Sequence, residues 1–189
     1  MNTKLILIIA FSYLYMFFEM WMNMSHKRKK TIEKSNDKGS LLVLIVAITI
    51  GCALSFSIGA TRMGRIYHWN TFFAVGAILS IIGLYIRISS ILTLREQFTY
   101  TVTKITNHVL VQNGWYKYIR HPGYLGQLII FLGIATALSN WLSIVAMMVP
   151  VTAGFLYRIS IEEKFMQEQM GQPYLDYQRL TRRLIPKIY

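Results

Sequence analysis

The sequence predicts an all-α integral membrane protein with five transmembrane helices, and three observations lead to this fold class. First, 54% of the 189 residues are hydrophobic and the mean hydropathy is +0.40, which is too apolar for an ordinary soluble domain. Second, the apolar residues fall into runs long enough to cross a bilayer. Third, the net charge of +12 is carried mainly between these runs, as expected for topology signals and contacts with anionic lipids. Because no basic helix can be separated from the spans, no nucleic-acid partner is predicted.

The five predicted spans follow one another along the chain. They cover residues 5–22, 41–60, 72–94, 124–138 and 141–157. The first span lacks a small-residue cleavage pattern, so we expect a retained helix and not a signal peptide. Only Ser139 and Asn140 separate the last two spans, which must therefore form a tight antiparallel hairpin. Glu19, near the end of the first span, is expected at the membrane interface.

The tail after the fifth span is predicted to lie on the membrane surface. In residues 160–189, apolar side chains recur at helical spacing, and Gly171 and Pro173 interrupt them. This pattern predicts two short amphipathic helices. Residues 98–111 alternate apolar and polar side chains and are expected as an interfacial loop or extended segment, because an unpaired strand cannot lie in lipid. With no internal repeat, residues 1–189 are predicted to form a single domain.

The distribution of basic residues predicts the orientation in the membrane. The connection of residues 26–39 is richly basic and contains Lys27, Arg28, Lys29, Lys30, Lys34 and Lys38. The opposite side carries only Lys4, Arg62 and Arg65. Positive-inside weighting therefore predicts an outside N-terminus and a cytoplasmic C-terminus, which five spans satisfy.

A first cluster of candidate functional residues precedes the predicted hairpin, in residues 114–126. Besides an Arg-His-Pro turn, it contains Gly114, Tyr116, Tyr118, Gly123, Tyr124 and Gly126. Because Pro122 favours a helix start, His121 is expected at a helix N-terminus, where free N–H groups favour an anion such as a carboxylate. The tyrosines are suited to stacking on a flat ring or binding a cation. An interfacial aromatic belt is the alternative interpretation.

A second cluster, Arg158, Glu162 and Glu163, follows the fifth span. Functionally, an acid would bind a cationic ligand and Arg158 would hold an anionic substrate with its guanidinium fork. The alternative is a helix end with a surface ion pair. Arg87 lies inside the third span, where a charge is expensive and tends to face protein or water. No residue set has metal-ligand spacing, and the single Cys52 is interpreted as packing, so no metal is predicted.

Together these residues resemble the isoprenylcysteine carboxyl methyltransferase family, which belongs with the phospholipid N-methyltransferases as small integral-membrane methyltransferases. The resemblance covers the chain from about Arg87 to the end, and the N-terminal half matches only in its hydrophobic layout. The residues that carry it are Gly114-x-Tyr116-x-Tyr118-x-Arg120-His121-Pro122-x-Tyr124-x-Gly126, Arg158-x-x-x-Glu162-Glu163, Gly171-x-x-Tyr174-x-x-Tyr177 and Leu184-Ile185-Pro186.

The resemblance implies S-adenosylmethionine as the methyl donor, bound at the cytoplasmic face beneath the tail helices. The cofactor-binding residues that it implies are Gly114, Tyr116, Tyr118, His121, Pro122, Tyr124, Gly126, Glu162 and Glu163. It also implies Arg158, Glu163 and Arg87 as the catalytic residues near the acceptor. The acceptor would be a lipophilic molecule that enters laterally from the bilayer.

The expected activity is carboxyl O-methylation of an isoprenylcysteine-type acceptor. A carboxylate is already nucleophilic, so the protein would mainly supply positioning and charge, with Arg158 orienting the acceptor and Arg87 assisting. Two other lipid acceptors remain open, namely a hydroxyl such as that of an alkylated pyrone and a phospholipid amine. A non-enzymatic alternative is a membrane scaffold or transporter subunit that binds lipids or partners through its basic surfaces.

Overall fold

A computed structural model describes residues 3–27, 37, 39–95, 98, 100 and 110–186, and only the backbone of residues 26 and 27. Most of the basic connection and most of the predicted interfacial segment, residues 98–111, lie outside the described residues. Within them the regular elements are helical and are accompanied by two isolated β-bridges. The helices are α1 (Thr3–Lys27), α2 (Ser40–Gly59), α3 (Trp69–Leu94), a 3-10 turn (Gly114–Lys117), α4 (Pro122–Ala137), α5 (Trp141–Met170) and α6 (Gln172–Leu180).

The predicted all-α membrane fold is confirmed. Helices α1, α2, α3 and α5 are each long and apolar enough to cross a bilayer, and α4 is an apolar helix of 16 residues. Helix α4 is the shortest of the helices that correspond to the five predicted spans. Each of the five predicted spans thus falls largely on one of α1 to α5.

The tight hairpin between α4 and α5 is held by Asn140. Its side-chain oxygen accepts hydrogen bonds from the backbone N–H groups of Leu142 (3.0 Å) and Ser143 (3.2 Å), so it caps α5. Its amide nitrogen donates to the carbonyl oxygen of Met63 at 2.7 Å. A single buried asparagine therefore starts α5 and ties the hairpin to the connection between α2 and α3.

Helix α5 continues well beyond the predicted end of the fifth span. It runs without interruption from Trp141 to Met170, so the first of the two predicted tail helices is in fact the end of α5. The reason lies in residues 158–170, which contain good helix formers and neither glycine nor proline until Gly171. Within residues 171–186, the described part of the tail beyond α5, α6 is the one separate helix. The cluster of Arg158, Glu162 and Glu163 lies on α5.

Helices α3 and α4 pack in close antiparallel contact through glycines. A Cβ atom on Gly76 would lie 2.5 Å from the carbonyl oxygen of Gly133, and one on Gly83 would lie 2.6 Å from that of Gly126. Both distances are shorter than atoms can approach, so only glycine permits this spacing of the two backbones. Gly126, which was predicted to bind the cofactor, lies in this helix crossing, where a Cβ would be 2.7 Å from the backbone nitrogen of Arg87.

The other three spans, α1, α2 and α5, surround this pair and bring polar residues to one end of the bundle. Helix α2 packs along α5, where the Ser143 hydroxyl donates to the Ser55 carbonyl oxygen at 2.9 Å. Helix α1 runs parallel to α3, since Lys4 donates to Asn70 and the Arg87 guanidinium donates to Glu19. The end of the bundle that contains Glu19, the start of α2 and the start of α4, here called the polar end, therefore carries both predicted clusters.

Candidate active site

The Arg-His-Pro turn is fixed by the C-terminal tail. Ile119 and Arg182 form a parallel β-bridge, and the backbone nitrogen of Arg120 donates to the carbonyl oxygen of Arg182 at 2.7 Å. The backbone nitrogen of His121 donates to the carbonyl oxygen of Arg183 at 3.0 Å. His121 is the N-cap residue of α4 and Pro122 is its first residue, as predicted. Backbone hydrogen bonds to the tail therefore hold the turn in its position.

His121 lies between the two acids of the second cluster. Its ring stacks on Tyr124, with centroids 5.5 Å apart and an interplanar angle of 6°. The Nε2 atom is 3.3 Å from the Glu163 carboxylate, and Nδ1 is 4.0 Å from that of Glu162. Glu162 and Glu163 are adjacent on α5, so their side chains point about 100° apart. The imidazole ring of His121 lies between the two carboxylates. Opposite edges of one ring thus meet both acids.

Glu163 is buried among cations. One carboxylate oxygen accepts from Arg120 Nε at 2.7 Å, and the other accepts from Arg183 Nε at 2.9 Å. Arg120 also donates to the carbonyl oxygen of Thr181 at 2.6 Å, so it holds the tail from a second direction. With only 4% of its side chain exposed, Glu163 joins the turn, α5 and the tail. Its geometry is that of an internal anchor.

Glu162 is the more accessible acid. Its side chain is 32% exposed, and one of its oxygens accepts from the Tyr124 hydroxyl at 2.7 Å. The same hydroxyl accepts from Arg158 Nε at 2.9 Å, so Tyr124 connects Glu162 to Arg158. A carboxylate placed beside two aromatic rings and open to one side is suited to a cationic ligand.

The Arg158 guanidinium is held from several sides. Besides donating to Tyr124, it donates through Nη1 to the Asp37 carboxylate at 3.0 Å and to the Ser40 hydroxyl at 3.1 Å. Its Nη2 atom donates to the carbonyl oxygen of Tyr100. Only 3% of the side chain is exposed. The predicted anion-binding arginine is therefore paired within the chain.

Arg87 is paired with Glu19, an acid for which the sequence indicated no partner. The guanidinium donates two parallel hydrogen bonds to the carboxylate, from Nε at 2.9 Å and from Nη2 at 2.8 Å. Glu19 also accepts from the hydroxyls of Tyr15 at 2.8 Å and Tyr100 at 2.7 Å. A charge inside a span needs such a partner, since an unpaired ion in lipid is costly. Tyr100 joins this pair to Arg158, because its carbonyl oxygen accepts from Arg158.

The remaining predicted site residues lie around the 3-10 turn. Tyr116 is buried, and its carbonyl oxygen accepts from the Tyr177 hydroxyl of α6 at 2.6 Å. Burial raises the pKa of Tyr116, and it raises the pKa of Tyr177 to about 12, so both hydroxyls are neutral at physiological pH. Tyr118 is 58% exposed, and Gly114 has a positive φ of 59° beside Thr93. Of these residues, Tyr118 is the one whose ring is open to a ligand.

Sequence reasoning missed several members of these networks. Asp37 lies in a connection dominated by basic residues, and its one signal is the spacing to Ser40 at the start of a span. Arg120 stood inside the recognised motif without an assigned partner, and Arg183 stood in the tail among other basic residues. Tyr100 is 58 residues from Arg158 and 81 from Glu19, so no local pattern indicates its contacts. In the described part of the chain, no group of three or more histidine, cysteine or acidic side chains is placed to hold a metal ion.

Comparison with known proteins identifies the family. The sequence profile described as phospholipid methyltransferase matches residues 71–173, which is more than half of the chain. The chain belongs to the phospholipid methyltransferase family. The matched region of this family member contains both polar clusters and extends from α3 into α6.

Named relatives of this phospholipid methyltransferase family member confirm the resemblance to isoprenylcysteine carboxyl methyltransferases. Protein-S-isoprenylcysteine O-methyltransferase A of Arabidopsis thaliana is 40% identical over 105 residues, covering 54% of this chain and 53% of the relative. The enzyme of that name from Tribolium castaneum is 36% identical over 123 residues, covering 64% and 43% respectively. The chain thus spans about half the length of these curated relatives.

A solved structure shows the same fold. It is that of the eukaryotic intramembrane Ras methyltransferase, isoprenylcysteine carboxyl methyltransferase, without a monobody. The TM-score is 0.60 at 30% sequence identity, and the match covers 78% of this chain and 52% of the solved one. The helical arrangement of this family member is therefore that of a known intramembrane methyltransferase.

Proposed function

We propose that this chain is an S-adenosylmethionine-dependent methyltransferase that acts at the cytoplasmic membrane face on a lipophilic acceptor, by carboxyl O-methylation of an isoprenylcysteine-type substrate. One observation carries the proposal: His121, Tyr124, Glu162 and Arg158 form a single contiguous network at the polar end. The names of the relatives support the acceptor class. The basic connection between α1 and α2 supports the cytoplasmic placement.

The residues at the polar end fit S-adenosylmethionine, which supplies an electrophilic methyl group when bound. The open side of the Glu162 carboxylate fits a cationic group, and the stacked rings of His121 and Tyr124 add their faces. The exposed ring of Tyr118 is available for stacking. Glu163 supports this arrangement indirectly, because it fixes the turn that carries His121.

Arg158 would orient the acceptor carboxylate. An ionised carboxylate oxygen would take the methyl group as the methyl–sulfur bond of the donor breaks and a neutral thioether leaves. No proton has to be removed first, so no general base is needed and the protein would contribute alignment and charge. Arg87 is neutralised by Glu19, so its contribution is to hold Tyr100 and the start of α4 in place beside Arg158. Lateral access from lipid would bring the acceptor chain to this position, with the polar end of the acceptor at the membrane surface.

A phospholipid amine is a second candidate acceptor, because the matching profile describes phospholipid methyltransferases. An amine acceptor is a neutral nucleophile only after losing a proton, and it has no use for a guanidinium partner. It would therefore leave the contacts of Arg158 with Asp37 and Tyr100 intact.

Equilibrium binding of S-adenosylmethionine to the purified protein in detergent tests the cofactor. We expect saturable binding by the wild type and a loss of about tenfold or more in affinity for Glu162→Gln and His121→Ala. Glu168→Gln is the matched control, because this acid lies on the same helix and is exposed. If folded wild type binds no ligand at millimolar concentration, the non-enzymatic scaffold interpretation is the better one.

The products of the same protein with methyl-labelled cofactor identify the acceptor. We expect label on a farnesylated cysteine carboxylate, released as methanol by mild base because a methyl ester hydrolyses and an N-methyl amine or aryl ether does not. Phosphatidylethanolamine and a hydroxylated alkylpyrone are offered in parallel. Base-stable label on the amine or the hydroxyl alone would replace the carboxylate proposal with the corresponding alternative.

A further inference from the structure

Asp37 occupies the position on Arg158 that an anionic substrate would need. The Nη1 atom of Arg158 donates to the Asp37 carboxylate at 3.0 Å, and the other guanidinium nitrogens donate to Tyr124 and Tyr100. A guanidinium binds a carboxylate best through two adjacent nitrogens, which here already have partners. An acceptor carboxylate therefore cannot bind two adjacent nitrogens of Arg158 in this arrangement without replacing one of these partners.

The position of Asp37 is built into the start of α2. Its carboxylate accepts from the Leu41 backbone nitrogen at 2.9 Å and from the Ser40 hydroxyl at 3.0 Å. Its carbonyl oxygen accepts from the Ser40 backbone nitrogen at 2.8 Å. These hydrogen bonds satisfy backbone N–H groups in the first turn of α2, whose N-cap residue is Gly39, and at the same time present a carboxylate to Arg158.

The pair is asymmetric with respect to water. The Arg158 side chain is 3% exposed, whereas that of Asp37 is 11% exposed. Asp37 is thus the partner nearer to solvent, and its carboxylate would regain hydration on leaving. Arg158 cannot leave without exposing its other partners, because its Nε atom is bonded to the Tyr124 hydroxyl inside the bundle. Exchange at this pair therefore means that a new carboxylate replaces Asp37.

We propose that Asp37 is a stand-in for the acceptor carboxylate on Arg158, and that the acceptor binds by displacing it. This inference rests on the proposed methyltransferase function. Asp37 thereby makes the site specific for acceptors that carry a carboxylate. It neutralises the buried Arg158 until such an acceptor binds in its place. Acceptors without a negative charge gain nothing from the exchange, because they would leave Arg158 without an anionic partner.

Substitution of Asp37 by asparagine tests the exchange. An asparagine oxygen can still accept from the Leu41 backbone nitrogen, so the hydrogen bond to the first turn of α2 is kept. The substitution removes the negative charge that competes for Arg158. The probes are N-acetyl-S-farnesylcysteine, which has a free carboxylate, and its methyl ester, which does not. We expect Asp37→Asn to bind the carboxylate probe about tenfold more tightly, with unchanged binding of the ester. If Asp37→Asn does not fold, Asp37→Ser, another capping residue, takes its place with the same expectation.

The matched control is Asp176→Asn, which removes an exposed acid paired with Arg179 on α6. It should change neither affinity. Unchanged or weaker binding of the carboxylate probe by Asp37→Asn would overturn the proposal and make Asp37 a positioning residue for Arg158. S-adenosylmethionine binding by the wild type is measured separately. If the wild type does not bind S-adenosylmethionine, the methyltransferase function is contradicted. If it does bind S-adenosylmethionine but Asp37→Asn leaves the affinity for the carboxylate probe unchanged, the exchange alone is contradicted.

Discussion

At the scale of single residues, the exposed fractions of Glu162 and Glu163, 32% and 4%, separate two acids that the sequence leaves equivalent. Glu163 has cationic partners on both oxygens, and Glu162 has one oxygen bonded to Tyr124. The acid that is open to a ligand is therefore the one with fewer internal bonds. We expect the buried acid to have the larger effect on the stability of the fold.

Replacing Glu163 by glutamine should therefore lower the stability of the protein, even in the absence of cofactor. Arg120, whose side chain is buried, would lose its negative partner, which costs about 3 kcal/mol for a buried ion pair with one partner removed, whereas the pair with the 39% exposed Arg183 adds little. Thermal unfolding in detergent measures this loss. Glu162→Gln, at a partly exposed position, is the comparison and should unfold close to the wild type. Equal unfolding temperatures for the two variants would contradict the anchoring role of Glu163.

At the scale of the elements, the packing of α3 on α4 places the site, because the turn with His121 opens directly into α4. Gly76 and Gly83 of α3 face Gly133 and Gly126 of α4. Arg87 lies one turn beyond Gly83, so the same close approach brings its guanidinium near Gly123 at the start of α4. Helix spacing and site geometry are thus set by the same contacts.

The variant Gly83→Ala should therefore destabilise the protein. The added methyl group would lie 2.6 Å from the carbonyl oxygen of Gly126, and backbone on both sides of the contact leaves it no room. We expect a loss of about 1–3 kcal/mol, measured as a lower unfolding temperature in detergent. Val75→Ala on the same helix is the control, because Val75 is 43% exposed on the outer surface. If both variants unfold at the wild-type temperature, the helices can separate without cost.

Hydrophobic runs were sufficient to predict the spans, because bilayer thickness imposes a length that is visible locally. The helix cap formed by Asn140 also depends on neighbouring residues, since its side chain binds backbone nitrogens two and three residues later. The contacts of the buried charges were not predictable in this way. Arg87 and Glu19 are 68 residues apart, and Arg158 and Asp37 are 121 apart. Which acid neutralises which arginine depends on how α1 and α2 pack, and the sequence pattern contains no information on that packing.

At the scale of the whole molecule, both predicted polar clusters lie at one end of a bundle that exposes many large apolar side chains. Both ends of this axis carry exposed residues suited to labelling, Tyr67 between α2 and α3 and Leu180 at the end of α6. The charge distribution predicts that the polar end faces the cytoplasm. The packing of the helices is the same for either orientation in the membrane, so the orientation needs a test of its own.

Labelling of single cysteines tests the orientation. In a Cys52→Ser background, Tyr67→Cys should react with a membrane-impermeant maleimide in intact cells, because Tyr67 is 92% exposed at the opposite end. Leu180→Cys, where the native side chain is 80% exposed, should react only after the membrane is permeabilised. The reverse pattern would place the candidate active site outside and contradict the predicted topology.

The bridge between Ile119 and Arg182 has a consequence for the order in which the protein is made. Domains and their parts form from the N-terminal side as synthesis proceeds. The tail residues whose carbonyl oxygens pair with Arg120 and His121 leave the ribosome after α1 to α5. A nascent chain with its helices already in the membrane thus still lacks the backbone partners of the turn. The hydrogen bonds that hold the turn are therefore completed at a late step, after α1 to α5 have been made.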